Sequence, residues 1–170
     1  MSLEDKGFIL KKVEYSDFDF ILTIFTLNNG KTSFLIKNAR KSKRRFAGKL
    51  EPFSLITLNY KGSLDSIKLL NSIQANNDYN NTNLDKKTVI LSSMITEYID
   101  IFEISDVPNN KTFQLLDNFF LKLNKTNIIK TLDLVLEFQI KYLTIHGLKP
   151  TNKELEKIHG GKIELEKNKV

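Results

Sequence analysis

The sequence predicts a segregated α+β protein, in which an N-terminal five-stranded β-barrel is followed by a small α-helical domain. Three observations predict this class. Apolar residues recur with a period of two up to about residue 75 and with a period of 3.6 beyond residue 84, and an asparagine-rich segment separates the two regions. We therefore expect the barrel over residues 1–75, a linker over 76–84, a helical domain over 85–161 and a polar tail over 162–170.

The first three strands are predicted from alternating apolar residues and from turn signals. Gly7–Val13 is the first candidate, and the second lies within Asp17–Thr26, where the even positions Phe18–Ile24 are all apolar. Asn28-Asn29-Gly30 then supplies the positive φ angles that a tight hairpin needs, and Lys31–Lys37 returns as the partner strand.

Two further strands would complete the barrel. Leu50–Tyr60 predicts a long strand whose apolar parity changes midway, which indicates a bulge or a bend. Ser66–Ile73 fits a fifth strand, although the same residues could also begin a helix. Short strands joined by hairpin turns around a bent strand favour a closed barrel of the OB type. The aromatic residues that we expect in its core are Phe18, Phe20, Phe34 and Phe53.

Three amphipathic stripes predict the helices of the second domain, over Leu91–Phe102, Phe113–Leu123 and Ile129–Leu143. Gly147 followed by Pro150 is the usual order of residues at a helix C-terminus, so we expect the third helix to end there. A capping box that begins at Thr151 predicts a short last helix, which would end at Gly160-Gly161.

Composition narrows the classes of function. The chain has no cysteine, which excludes disulfides and thiolate metal sites, and its two histidines, His146 and His159, lack the spacing of a ligand set. The N-terminus is unlike a signal peptide, and no apolar stretch approaches the ~20 residues that cross a bilayer. We therefore expect a cytoplasmic protein with no membrane contact, no metal, no cofactor and no catalytic residues.

The most informative segment is a basic run between the third and fourth predicted strands. Residues 40–49 contain six cations; residues 1–75 carry 13 Lys+Arg against 7 Asp+Glu, whereas residues 76–170 carry 13 of each. The net charge of +6 therefore belongs to the barrel. A cationic loop at the rim of a barrel can lie against a phosphate backbone. The predicted nucleic-acid-binding residues are Lys37, Arg40, Lys41, Lys43, Arg44, Arg45, Phe46 and Lys49.

Other interpretations of these residues stay open. A run of Lys and Arg can be a solvated loop that only keeps a protein soluble. Phe46 could stack on a base, as aromatic residues of OB folds do, but a Phe followed by Ala-Gly and a strand is more often a core anchor. Tyr15 and Tyr60 are equally ambiguous.

At these same residues the sequence resembles the bacterial recombination mediator family RecO. The resemblance spans nearly the whole chain and is strongest over the first 62 residues. Its most specific part is Arg45-Phe46-Ala47-Gly48 with Leu50 and Pro52-Phe53. The other matching segments are Gly7–Leu10, Asp17–Thr26, Gly30-Lys31, Tyr60–Gly62 and the ending Tyr142–Pro150.

The resemblance implies a factor of DNA repair and recombination, located in the cytoplasm and associated with the nucleoid. Such a factor binds single- and double-stranded DNA through its barrel, anneals complementary strands, and helps RecR to load RecA onto DNA coated by single-stranded-DNA-binding protein. The helical half of RecO can also receive the acidic, Phe-ending tail of single-stranded-DNA-binding protein.

The chain departs from many RecO members, which carry a four-cysteine zinc ribbon and a longer helical region after the segment that matches Gly147–Pro150. This chain has no cysteine and stops early, either as a reduced member or as a piece of a longer chain. Zinc, and any partner contact of that region, are therefore not implied.

Two other classes of function remain open from the sequence. A protein-interaction adaptor would use the OB barrel to dock a protein partner, with DNA contact incidental. An RNA-binding OB-fold module would prefer RNA over DNA.

Overall fold

The computed structural model describes residues 2–42, 46, 49–62, 67–76, 86–123, 128–148 and 151. Within these residues, five strands precede three helices, which confirms the predicted segregated α+β class. The strands are β1 (Leu3–Tyr15), β2 (Asp19–Thr26), β3 (Gly30–Ile36), β4 (Leu55–Lys61) and β5 (Lys68–Ala75), and the helices are α1 (Lys86–Phe102), α2 (Asn110–Leu123) and α3 (Ile128–Ile145). Most of the predicted linker, the expected stop at Pro150, the predicted last helix and the polar tail lie outside the described residues.

The strands close into a barrel in the order β1-β2-β3-β5-β4. All neighbours are antiparallel except β3 and β5, which pair in parallel with Phe34 opposite Lys68. The long first strand pairs with β4 over residues 3–8 and with β2 over residues 7–15, and its register with β2 shifts between Ile9 and Lys11. This arrangement is the five-stranded barrel of the OB type that the sequence predicts.

The fourth strand is shorter than predicted, because a turn precedes it. Phe53 has a φ of 69°, and its backbone N–H donates to the Ile9 carbonyl at 3.0 Å. The chain therefore becomes regular only at Leu55. The pairing register between β4 and β5 shifts between Asn59 and Tyr60, but the extra residue there is Asn71 of β5, so this shift is not the bulge that the sequence predicted within the fourth strand. The fifth element is a strand and not a helix, and it closes the barrel against β3 and β4.

The barrel interior is filled by aliphatic side chains from alternate strand positions. Phe34 is fully buried there, and Phe20 packs against this core. Phe18 corrects the prediction, because 40 % of it is exposed. Phe18 lies in the turn between β1 and β2, before strand pairing begins. The alternation of side chains between the two faces of a strand, from which its burial was predicted, therefore does not apply to it. The largest fully buried residues of this interior are Ile9, Leu22, Ile24, Phe34, Ile36, Phe46, Ile56 and Leu58.

A second apolar core joins the barrel to the helices. Phe8 and Phe25 pair across β1 and β2 and belong to this second core, whereas Ile9 and Ile24 beside them fill the barrel interior. The ring centroids of Phe8 and Phe120 lie 5.4 Å apart. The apolar run at residues 8–10 therefore serves both cores. The prediction that Phe53 lies in the barrel core is wrong, because this residue packs against the second core.

Polar contacts organise the turn between β2 and β3. The carboxylate of Asp5, which is 3 % exposed, accepts hydrogen bonds from the Lys6 backbone N–H and from the side-chain amides of Asn28 and Asn29, each at 2.8 Å. Asn29 also donates to the hydroxyl of Tyr60 at 2.9 Å. Burial raises the pKa of Tyr60, partly offset by this hydrogen bond. The Asn-Asn-Gly hairpin predicted from sequence is thus held by a buried acceptor.

The same turn is joined to the segment between α1 and α2. The Asp106 backbone N–H donates to the Lys31 carbonyl at 2.9 Å, and the Lys31 ammonium donates to the Asp100 carbonyl. The Asp106 carboxylate in turn accepts from the Thr32 hydroxyl at 2.9 Å and lies 3.1 Å from the Lys68 ammonium. These contacts dock the helical domain on the β2–β3 turn.

The helix ends follow local sequence signals. Asn109 caps α2, because its side-chain oxygen accepts from the Thr112 N–H at 3.2 Å. Gly147 has a φ of 78°, and the N–H of Leu148 donates to the Leu143 carbonyl at 2.8 Å, the hydrogen-bond pattern of a Schellman ending. The predicted glycine stop of the third helix is confirmed.

His146, at the end of α3, contacts a buried carboxylate. Its Nε2 lies 3.1 Å from Glu103, which also accepts from the Asn109 amide at 3.3 Å. The ends of α1 and α3 therefore meet the start of α2. Burial and the neighbouring Glu103 raise the pKa of the Tyr142 phenol.

Glu137 on α3 provides a pH-dependent contact between two helices. Its carboxylate lies 2.5 Å from Lys141 and 2.9 Å from Lys122 on α2, and these hydrogen bonds hold its pKa below the ordinary value of 4.5. Because the Glu137 side chain is 41 % exposed, we expect Glu137→Gln to lower the free energy of unfolding by no more than about 1 kcal/mol at pH 7.

The sign of the pH dependence follows from the lowered pKa. The folded state binds the Glu137 proton less tightly than the unfolded state, so the stabilisation is present above pH 4.5 and is lost as the pH falls through the folded value. Urea midpoints of both proteins at pH 7 and at about pH 3 measure this. A difference of the same size at both pH values would contradict the assignment to the ionised carboxylate.

Candidate nucleic-acid interface

The site predicted from sequence lies on the connection between β3 and β4, residues 37–54. Ala39, Phe46 and Leu50 are all buried in the barrel core. They anchor the connection on the barrel, while Lys37, Arg40 and Lys41 are exposed. Over its described residues, the connection is therefore a surface segment that is attached to the barrel by buried side chains.

Backbone hydrogen bonds join the start of this connection to the turn between β1 and β2. The Asn38 N–H donates to the Asp19 carboxylate at 2.8 Å, and the Arg40 N–H donates to the Phe18 carbonyl at 3.1 Å. Asn38 has a φ of 55°, which turns the chain back towards that hairpin. The first predicted binding residues thus sit beside Phe18.

Of the described cations of the connection, Lys37, Arg40 and Lys41 are exposed, whereas Lys49 is not. The Arg40 guanidinium lies 3.3 Å from the Glu14 carboxylate, and both side chains are largely exposed. Such surface pairs contribute at most about 1 kcal/mol, so Glu14 does not withdraw Arg40 from a competing phosphate. The Lys41 ammonium lies 3.4 Å from the centroid of the Phe18 ring. Lys49 is half-buried, and its backbone N–H donates to the Phe46 carbonyl at 3.1 Å.

Three of the predicted residues, Lys43, Arg44 and Arg45, lie outside the described residues. Their participation stays a prediction from the sequence.

Phe46 is 2 % exposed and lies in the barrel core. Its ring is not presented to a base. The sequence allowed Phe46 to be either a base-stacking residue or a core anchor, and in the structure it is a core anchor. Phe46 is therefore removed from the candidate interface. The physical reason is that burial in the barrel interior stabilises a large apolar ring.

Two exposed aromatic residues lie at the β1–β2 turn, beside the start of the connection. Tyr15, at the end of β1, is 52 % exposed, and Phe18 follows it three residues later in the same turn. The sequence prediction placed Phe18 in the core and left Tyr15 undecided. A usable signal was present, because the polar pair Ser16-Asp17 marks a turn directly before Phe18.

Among the described residues, no three His, Asp or Glu side chains come together in a group that could hold a metal ion. In that same part of the chain, no helix is both long enough and apolar enough to span a membrane. A groove of about 360 Å³ separates the barrel from α1, and it is lined by Leu10, Lys11, Lys12, Pro52, Phe53, Ser93, Thr96, Glu97 and Asp100.

Comparison with known sequences adds to this geometry. A sequence model of the family described as Recombination protein O N terminal matches residues 1–76, which contain the barrel and the basic connection. The match therefore covers the part of the chain that carries its net positive charge.

Three relatives named DNA repair protein RecO match most of the chain. The protein of Syntrophus aciditrophicus is 32 % identical over 85 % of this chain and 56 % of its own length. That of Desulfatibacillum aliphaticivorans is 34 % identical over 84 % of this chain and 56 % of its own length. That of Alkaliphilus metalliredigens is 28 % identical over 88 % and 60 %, respectively. The chain thus spans little more than half the length of these relatives. Most of it is similar to proteins named DNA repair protein RecO, and its OB-type barrel lies in the part that the family model matches.

Proposed function

We propose that this chain acts in DNA repair as a recombination mediator, and that its barrel binds single- and double-stranded DNA without catalysing a reaction. One observation carries the proposal: a cationic connection is anchored on an OB-type barrel, and its residues Lys37, Arg40 and Lys41 are exposed. The similarity to proteins named DNA repair protein RecO supports the same role.

The physical mechanism is electrostatic. Two DNA strands repel each other through their phosphates, and cations on the connection lower that repulsion while they hold the strands near one another. Arginine adds bidentate hydrogen bonds to phosphate oxygens, which lysine cannot form. Annealing of complementary strands needs no covalent step, so binding alone supplies the activity. Assistance to RecR in loading RecA onto DNA coated by single-stranded-DNA-binding protein belongs to the same proposal.

The salt dependence of DNA binding tests the electrostatic mechanism. Contact with about 4 to 6 phosphates of a single strand predicts a slope of log K against log salt of roughly −3 to −4, from about −0.7 per contact. Arg44→Glu/Arg45→Glu removes two contacts, so the slope should become shallower by about 1.4, and binding at 0.1 M salt should weaken by about 25-fold or more. Fluorescence anisotropy with a labelled single-stranded oligonucleotide over a salt series measures both quantities.

The matched control is Lys86→Glu/Lys111→Glu, which changes the net charge by the same amount. Both lysines are exposed in the first turns of α1 and α2, where a glutamate interacts favourably with the helix N-terminus. We expect this variant to bind DNA nearly as the parent does. Equal losses in the two variants would mean that overall charge alone governs binding, and unchanged affinity after Arg44/Arg45 reversal would remove the connection from the mechanism.

The same experiment separates the alternatives. Competition by RNA that exceeds competition by DNA of the same sequence would favour the RNA-binding module. Retained DNA binding with lost binding of RecR in the Arg44/Arg45 variant would favour the protein-interaction adaptor.

The groove between the barrel and α1 supports docking of the acidic, Phe-ending tail of single-stranded-DNA-binding protein. Its volume of about 360 Å³ lies in the range of ligand sites, and Leu10 and Phe53 offer apolar surface for a phenyl ring. Lys11 and Lys12 line the groove and can receive carboxylates. The Lys12 ammonium lies 3.3 Å from the exposed Glu51 carboxylate, a weak surface pair that a carboxylate of the tail can replace. Glu97 and Asp100 line the groove as well, so the carboxylates of the tail must lie on the lysine side.

A labelled peptide of this chemistry tests the docking proposal. We expect an acidic peptide that ends in Phe to bind, and the same peptide with its last residue replaced by Ala to bind at least about tenfold more weakly, because the ring supplies the buried apolar contact. Ser93→Trp should block the groove and weaken the first peptide without affecting an oligonucleotide. Equal binding of both peptides would contradict docking of the ring.

A further inference from the structure

The turn between β1 and β2 presents two aromatic rings to solution. Tyr15 ends β1 and Phe18 precedes β2, and about half of each residue is exposed. Between them Ser16 has a φ of 55°, a backbone conformation that reverses the chain within three residues. Large exposed rings next to each other are unusual on a protein surface and point to a ligand for this turn.

The turn continues onto an uncovered part of the barrel exterior. Val13 pairs with Ile21 and Ile21 pairs with Leu35, so these three side chains share the outer face of β1, β2 and β3. Val13 is exposed, and the other two are half-buried. At the far end of the same strands, Phe8 and Phe25 are covered by α2. The uncovered half of this face therefore ends at Tyr15.

Cations of the β3–β4 connection lie against the turn. The Arg40 N–H donates to the Phe18 carbonyl at 3.1 Å, and the Lys41 ammonium lies 3.4 Å from the Phe18 ring centroid. An exposed contact between a cation and a ring is weak, so a base that takes the ring face can release the ammonium to a phosphate. Aromatic rings and phosphate-binding groups therefore lie close together, which is the combination that binds single-stranded nucleic acid.

We propose that Tyr15 and Phe18 are base-stacking residues for single-stranded nucleic acid, with the sugar-phosphate chain held along Arg40 and Lys41. The inference rests on the proposed function and deepens it. In OB folds the face of the second and third strands and the loop between the first and second bind oligonucleotides, and both features meet at this turn. Bases in a duplex are already paired and stacked, so these rings favour single strands over duplexes.

The test compares ordinary and abasic oligonucleotides. Tyr15→Ala/Phe18→Ala should weaken binding of a single-stranded oligonucleotide by roughly tenfold or more and leave duplex binding and the salt slope unchanged, because stacking is sequence-tolerant and uncharged. The affinity of the parent protein should fall by a similar factor when the oligonucleotide is made abasic. The affinity of the double variant should be nearly the same for the ordinary and the abasic oligonucleotide. Phe102→Ala removes an exposed ring on α1, 57 % exposed, and serves as the control.

Each result decides the proposal. Parent-like affinity of the Tyr15/Phe18 variant for the ordinary oligonucleotide would overturn it, and so would equal losses on ordinary and abasic strands. Thermal unfolding checks that the variants are folded. Phe18→Leu keeps the apolar volume without a ring, and its affinity must likewise differ less between ordinary and abasic strands than that of the parent protein. Loss of affinity in the Arg44/Arg45 variant alone would leave the proposed function standing and defeat the stacking role. A parent protein that binds no DNA would overturn both.

Discussion

Gly30→Ala is expected to lower the free energy of unfolding by at least about 3 kcal/mol, because no side chain fits at this position. A Cβ at Gly30 would lie 2.0 Å from the carbonyl oxygen of Val107, which is backbone and cannot rotate away. The residue also has a φ of 67°, which L-residues with a Cβ rarely adopt. To relieve the overlap, the segment between α1 and α2 must move away from the barrel.

That movement has a second consequence. The Asp106 N–H donates to the Lys31 carbonyl at 2.9 Å, directly beside the overlap, and the hydrogen bond would be strained or lost. The docking of the helices on the β2–β3 turn should weaken with it. Urea denaturation followed by circular dichroism gives the change in the free energy of unfolding.

Gly147→Ala is the matched control for backbone conformation. Gly147 has a φ of 78°, yet a Cβ there meets nothing within 4 Å. We expect this variant to lose only about 1 kcal/mol, the cost of a left-handed conformation for alanine. If Gly30→Ala lost no more than Gly147→Ala, close approach to Val107 would not be the reason for glycine at position 30.

Phe120→Ala is expected to lower the free energy of unfolding by about 3 to 5 kcal/mol, since it empties the centre of the core between barrel and helices. Phe120 is fully buried, and its ring centroid lies 5.4 Å from Phe8, 5.2 Å from Phe119 and 6.2 Å from Phe53. The ring therefore contacts side chains of β1, of the β3–β4 connection and of its own helix.

The position of Phe120 also predicts how the protein unfolds. Because this core joins the two parts of the fold, we expect the parent protein to unfold in one transition and the Phe120→Ala variant to show separate transitions for barrel and helices. Differential scanning calorimetry should then show one heat-absorption peak for the parent protein and two for the variant. Phe102→Ala, at an exposed ring, should cost less than about 1 kcal/mol, and a similar small loss at Phe120 would contradict its central role.

Features that depend on neighbouring residues in the sequence were predicted well. The hairpin at Asn28–Gly30 and the stop at Gly147 are confirmed, because a positive φ angle is a property of one or two residues. The period of two up to residue 75 predicted the barrel for the same reason, since alternation follows directly from strand geometry.

Features that depend on contacts between distant segments were predicted less well. Phe18 and Phe46 look alike in sequence, each an aromatic residue next to polar or charged neighbours. Only the closed barrel distinguishes them, because Phe46 reaches its interior and Phe18 lies beyond the end of strand pairing. The start of the fourth strand was likewise set by the Phe53 N–H bond to Ile9, a contact across 44 residues that no local pattern records.

By itself the sequence determined the order of barrel and helices and the concentration of positive charge in the first 75 residues. Both follow directly from the identity and the spacing of residues along the chain. The tertiary structure alone decided which aromatic rings are core and which face solution, and that Phe8 and Phe25 join the barrel to the helices. The physical reason is that burial is a property of the assembled surfaces. A residue is buried only when another element covers it, and that element can lie a hundred residues away.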